Sequence, residues 1–90
     1  MTTPELDARG RRALYRAMHR GTKEMDWFLG RYAAAQLADM SDTALVLFER
    51  LLAMPDPDLH DWITGAHSLG ASDFAGLIGD IRTFHGLGDR

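Results

Sequence analysis

Apolar residues recur at helical spacing from one end of this chain to the other, and no segment alternates with the period of two that a half-buried strand requires. Each helix so defined is apolar along one stripe and must bury that stripe against another. With 90 residues there is room for one core, so the pattern predicts an all-α fold: a compact bundle of five short helices forming a single domain over residues 1–90, frayed at 1–5 and 86–90. A domain of this size hides only about two-thirds of its unfolded surface, which leaves little material for a deep active-site cavity.

The helices can be placed from their punctuation. Thr2 and Glu5 form a candidate capping box ahead of a first helix carrying Leu6, Leu14, Tyr15 and Met18 to about Arg20, weakened early by Gly10. Gly21 interrupts the pattern, either as the left-handed residue that ends helix one or as the entry to helix two. From about Thr22 the second helix sets Met25, Phe28, Leu29, Tyr32 and Gln36 on one stripe. Ser41 and Asp42 cap a third helix, whose Leu45, Phe48, Leu51 and Leu52 face one way until Pro55 stops it. Asp56 followed by Pro57 reads as a cap and first helical residue, opening a fourth helix with Leu59, Trp62 and Ile63 that Gly65 ends. A fifth begins near Ser72 and Asp73 and presents Phe74, Leu77, Ile78, Ile81 and Phe84.

Several function classes find no support. Cysteine is absent, which removes disulfides, thiolate nucleophiles and the usual cysteine zinc sites. His19, His60, His67 and His85 miss the i, i+4 spacing that lets one helix hold a metal with two imidazoles. Ala66 to Gly70 loosely matches a nucleophile elbow but lacks the preceding strand that strains such a turn, and Gly86 and Gly88 follow a helix rather than a strand. Asp56, Asp58 and Asp61 read as charges favourable at a helix start. Nothing combines a nucleophile, a base and an oxyanion site, so the expectation is a non-enzyme. No apolar run reaches the roughly 18 residues of a membrane span, and the first residues lack the pattern of a signal or transit peptide, so a cytoplasmic protein is expected.

Charge is unevenly distributed. Residues 1–31 carry seven basic side chains against four acidic ones, a net of +3, and residues 32–90 carry three against nine, a net of −6. If helix one is continuous, Arg9, Arg12, Arg16 and Arg20 make one stripe that ends at Gly21, with Glu24 and Asp26 in the following turn. Such a face suits an acidic partner. Nucleic acid is the competing reading, weakened by the acidic remainder of the chain and the lack of a clear recognition helix.

The run Tyr15-Arg16-Ala17-Met18-His19-Arg20-Gly21-Thr22-Lys23-Glu24-Met25-Asp26 resembles the Arg-Gly-x-x-Glu signature of the succinate dehydrogenase assembly factor 2 family, the flavinylation factors of bacteria and mitochondria. The likeness continues in order through Met40-Ser41-Asp42, Phe48 to Leu52, and Pro55 to Trp62, where the family reads as an acidic loop followed by Asp-Leu-x-x-Trp. His19 stands where many members have a second arginine, and Thr22 and Met25 replace a commoner apolar residue and leucine. The resemblance implies a five-helix assembly factor that binds the flavoprotein subunit of succinate dehydrogenase, with the fumarate reductase flavoprotein as a further client. It implies promotion of covalent FAD attachment to a histidine of that subunit. A monomer that holds no cofactor tightly is expected, and the histidine spacing and missing cysteines give no metal site. The partner-binding residues the resemblance points to are Arg20, Gly21 and Glu24, then Arg16, Lys23 and Asp26. Arg20 would offer its planar fork to the partner, Gly21 would allow close backbone approach, and Glu24 would either orient Arg20 or pair across the interface. Some relatives are antitoxins, so an interaction module with a toxin partner is the other reading.

Overall fold

A computed structural model describes residues 6–67, 69, 70 and 72–87. Among these are five α-helices and one 3-10 turn: α1 (Ala8–Met18), α2 (Lys23–Gln36), the 3-10 turn (Leu37–Asp39), α3 (Asp42–Leu52), α4 (Asp56–Thr64) and α5 (Ala75–Phe84). Three starts are fixed by side-chain caps: Asp7 accepts from the Gly10 N–H (2.8 Å), Thr22 from Met25 (3.1 Å) and Ser41 from Ala44 (3.1 Å). The proposed Thr2 and Glu5 box lies outside the described residues, and Asp7 caps α1 in its place.

Helix ends follow the glycines less uniformly than expected. Gly65 takes the left-handed conformation (φ 87°) after α4, and Gly86 (φ 75°) does so after α5. There the Leu87 N–H returns to the Arg82 carbonyl (2.7 Å) and the Gly86 N–H to Thr83 (3.0 Å), so residues 86 and 87 close the helix, while the remainder of the ends expected to fray, 1–5 and 88–90, lies outside the described residues. Gly21 does not have positive φ. α1 stops at Met18, and Gly21 lies in a four-residue connection instead of terminating either helix.

α1 packs along α2 and across α3, α4 pairs with α5, and α5 also leans on α2. Phe48, Met25, Leu29, Leu51, Leu59, Ile63 and Ile81 are fully buried, one or more from each of α2 to α5, so the stripes share one core. α1 contributes differently from the expected stripe. Its buried face is Gly10, Ala13 and Ala17, with Leu6 and Leu14 half-buried, whereas Tyr15 is 63% exposed and Met18 lies largely at the surface. Small residues win because α1 and α2 lie very close. A Cβ built on Gly30 would sit 3.1 Å from the Met18 Cγ and 3.6 Å from the Ala17 carbonyl. Phe84 also departs from its expected core role. It is 41% exposed and sets its ring edge against Tyr32 (5.6 Å between centroids).

Gly30→Leu should therefore force α1 and α2 apart and cost about 1–3 kcal/mol, as overpacking of tight cores does. In thermal unfolding each kcal/mol lowers the midpoint of a domain this size by about 4–8 °C; an unchanged midpoint would mean that the helices are not in close contact at Gly30.

Candidate functional site

The α1–α2 connection, His19 to Thr22, is held from three sides. α1 ends because His19 leaves helical geometry (φ −127°, ψ 59°), while its Nδ1–H donates back to the Tyr15 carbonyl (2.8 Å) and its ring stacks on Tyr15. The backbone N–H of Arg20 donates to the Asp26 carboxylate in the first turn of α2. The Arg20 side chain, only 11% exposed, then crosses to the α3–α4 turn. Its Nε donates to Asp56 Oδ1 (2.8 Å), Nη1 to the Leu52 carbonyl (2.7 Å) and Nη2 to the Met54 carbonyl (3.0 Å).

The carbonyl acceptors are available for a simple reason. α3 ends at Leu52, and the last carbonyls of a helix have no partner within it. The turn that follows uses only Arg50 and Leu51 as acceptors, for the Ala53 and Met54 N–H groups. A guanidinium at this position also meets the negative end of the helix dipole. Asp56 completes the clasp, since its second oxygen accepts the Gly21 N–H (2.8 Å). One carboxylate thus bridges the Arg20 side chain and the Gly21 backbone, and a Cβ on Gly21 would lie 3.0 Å from that oxygen. The need for glycine here is steric contact with Asp56, while its outer side remains exposed.

This arrangement changes three sequence expectations. Asp56 does not cap its own helix: Pro55 occupies the N-cap position of α4 without a side-chain bond, and the Asp56 carboxylate faces the α1–α2 connection. Arg20 directs its fork at acceptors within the chain. Glu24 does not orient Arg20; it meets His60 Nε2 at 2.8 Å on the exposed rim, and Asp26 and Asp56 take the orienting role. Asp56 and His60 are the residues that sequence reasoning missed, because Asp-Pro is equally the signature of a plain helix start.

Arg20, Gly21 and Asp26 thus come together in one hydrogen-bonded loop. Glu24 borders it across a shallow hollow lined by Thr22, Met25, Asp56, Pro57, His60 and Asp61. Lys23 is exposed beside this hollow without an ion pair among the described residues. Arg16 lies apart, on the outer face of α1 with Arg11, Arg12 and Tyr15. The four-arginine stripe does not form, because α1 ends before Arg20 and because Arg9 donates both Nε and Nη2 to Glu49 on α3 (2.9 and 2.7 Å). Those hydrogen bonds outweigh the opposing effect of burial and, helped by the charges of Arg9, Arg16 and Arg12, hold the Glu49 carboxyl below the usual range. Ser68 of the elbow-like segment lies outside the described residues. Among those described, no group of three His, Asp or Glu side chains is placed to hold a metal ion.

Residues 11–85 match a family described as "Flavinator of succinate dehydrogenase". The chain is 45% identical over 60 residues to the FAD assembly factor SdhE of Acetobacter pasteurianus, covering 67% of this chain and 55% of that protein. It is 32% identical over 63 residues to the FAD assembly factor SdhE of Coxiella burnetii, covering 70% and 77%. With the mitochondrial succinate dehydrogenase assembly factor 2 of Yarrowia lipolytica it shares 38% over 60 residues, 67% of this chain and 41% of the other. The match therefore spans about half the length of the Acetobacter protein and less of the Yarrowia one. No solved structure matches the chain.

Two outcomes follow from the clasp and from the Arg9–Glu49 pair. Asp56→Asn keeps the shape but turns an amide donor toward either Arg20 or Gly21, and should cost about 1.5–3 kcal/mol in denaturant unfolding, the range for a hydrogen bond to a charged group. Glu49 has a folded pKa below its unfolded value, so its contribution is fully present above the ordinary carboxylate range of about 4.3 and is lost as pH falls through the folded value. The stability gap between wild type and Glu49→Gln should be open at about pH 7 and narrow as pH falls below the ordinary carboxylate range; a gap that widens on acidification would contradict the pairing.

Proposed function

Because the chain belongs to the family of succinate dehydrogenase flavinators, the FAD assembly factors, we propose that it binds the flavoprotein subunit of succinate dehydrogenase and promotes covalent attachment of FAD there, without being an enzyme itself. The observation that carries this reading is the clasped loop. Gly21 is exposed on its outer side and lacks a side chain, and its backbone is held by Asp56 while Arg20 is held by Asp26, Asp56, Leu52 and Met54. A surface ordered in advance loses little entropy when a partner settles on it.

In this reading the bond-forming chemistry belongs to FAD and to the flavoprotein. The assembly factor acts by favouring the client conformation in which histidine and flavin approach attack geometry, which requires tighter binding to that conformation than to others. Gly21 supplies the close approach and Glu24, with His60, supplies polar contacts at the rim. Lys23 and Arg16 extend the positive side, and Arg20 and Asp26 act by shaping the loop. The fumarate reductase flavoprotein is a second client. We further read the chain as a monomer that works in the cytoplasm and holds no FAD tightly. No helix among the described residues is long and apolar enough to cross a membrane.

Flavin fluorescence of the denatured flavoprotein in a gel tests this. Cells lacking the chain should lose covalent flavin, wild type should restore it, and Gly21→Arg, which puts a long side chain where backbone contact is needed, should restore less than about a tenth. Undiminished fluorescence in cells lacking the chain would overturn the reading.

A further inference from the structure

Trp27 is 45% exposed, yet its indole packs against the rings of Phe28 and His85. The His85 ring lies 4.4 Å from the indole and 5.4 Å from Phe28, centroid to centroid, and its Nε2–H donates to the Phe28 carbonyl (2.7 Å). That hydrogen bond links the end of α5 to the middle of α2 and fixes the ring against which Trp27 rests. Phe84 and Leu87, 41% and 38% exposed, continue the apolar surface beyond it. A large aromatic ordered before binding is the kind of side chain that dominates interface energetics, because it offers much area and loses few rotamers.

The patch is continuous with the clasped loop. The Phe28 ring that meets His85 also meets His60 edge-on (6.3 Å), and His60 meets Glu24 at 2.8 Å. Glu24 and Trp27 are three residues apart on α2, so they share a face of that helix. Lys23 and Arg31 lie four residues to either side of Trp27, both exposed and without an ion pair among the described residues. The surface is thus an aromatic projection with a cation on each flank.

We propose that Trp27 is the apolar anchor of the client interface, entering a hydrophobic socket bordered by carboxylates on the flavoprotein subunit, with Lys23 and Arg31 meeting that acidic border. The inference rests on the proposed function and extends it from the Gly21 loop along α2. A second copy of the chain fits the surface poorly. A two-fold contact through this face would bring the same cations of both copies together, which repels. The flavoprotein, proposed above to cover the adjoining loop, is the occupant that the continuity favours.

Calorimetric titration of the FAD-loaded flavoprotein subunit with the 90-residue chain tests the proposal, using wild type, Trp27→Ser, Trp27→Phe, Arg31→Glu and the exposed α3 control Val46→Ser. Expected are a weakening of at least about tenfold for Trp27→Ser, recovery to within about threefold for Trp27→Phe, and no change for Val46→Ser. Arg31→Glu should weaken binding several-fold, and more so at low salt. If wild type binds and both Trp27→Ser and Arg31→Glu bind as tightly, the anchor is overturned while the function stands. Should circular dichroism show Trp27→Ser misfolded, Arg31→Glu decides alone, and unchanged affinity overturns the proposal. A dimer of the chain that Trp27→Ser dissolves would also overturn it. No binding by wild type would remove the underlying function as well.

Discussion

The guanidinium of Arg20 joins the segment after α1 to the turn between the end of α3 and the start of α4, more than thirty residues away in sequence. Taking a charge largely out of water costs several kcal/mol, and hydrogen bonds to charged groups return about 1.5–3 kcal/mol each, so three of them roughly offset the loss. The net gain in stability is therefore modest. What the interaction secures is geometry, because a planar fork with fixed donor directions accepts few arrangements of Asp56 and two carbonyls. A lysine would keep the charge and lose that restriction.

The loop's conformation follows from the same clasp. Asp56 is already oriented by Arg20 when it accepts the Gly21 N–H, so the glycine is held without any side chain of its own. The result is an exposed strip of backbone on a rigid base, next to Glu24 and His60 at the rim of a shallow hollow. This explains how a chain with a small core can present a specific surface. The precision comes from polar contacts between helix ends, where unpaired carbonyls and N–H groups are concentrated.

Much of the fold was legible because α2 to α5 carry their large apolar residues at helical spacing, as Met25, Phe28, Leu29 and Tyr32 do on α2. α1 misled the reading, since its buried face is Gly10, Ala13 and Ala17, and periodicity of large side chains pointed instead to Tyr15 and Met18 at the surface. Spacing says where a stripe lies only when the neighbouring helix is far enough away to need bulk. The Arg20 to Asp26 segment stood out by its resemblance to a family signature, but the internal orientation of Arg20 was not legible. Its partners are two backbone carbonyls, which have no sequence identity, and Asp56, whose place before Pro57 looked like capping. Trp27 and His85 escaped notice for a related reason: their pairing joins α2 to the end of α5, and nothing local in either segment announces it.

On the function proposed above, the clasped loop around Gly21 is the surface that a client flavoprotein covers. Titrating the isotope-labelled chain with the FAD-loaded flavoprotein subunit and following backbone amide resonances tests it most directly. The amides of Gly21 to Glu24 and of His60 should shift or broaden first, while those of Thr43 and Val46 on the exposed side of α3 stay in place. Perturbations confined to α3, with the Gly21 amide unmoved at saturation, would contradict it.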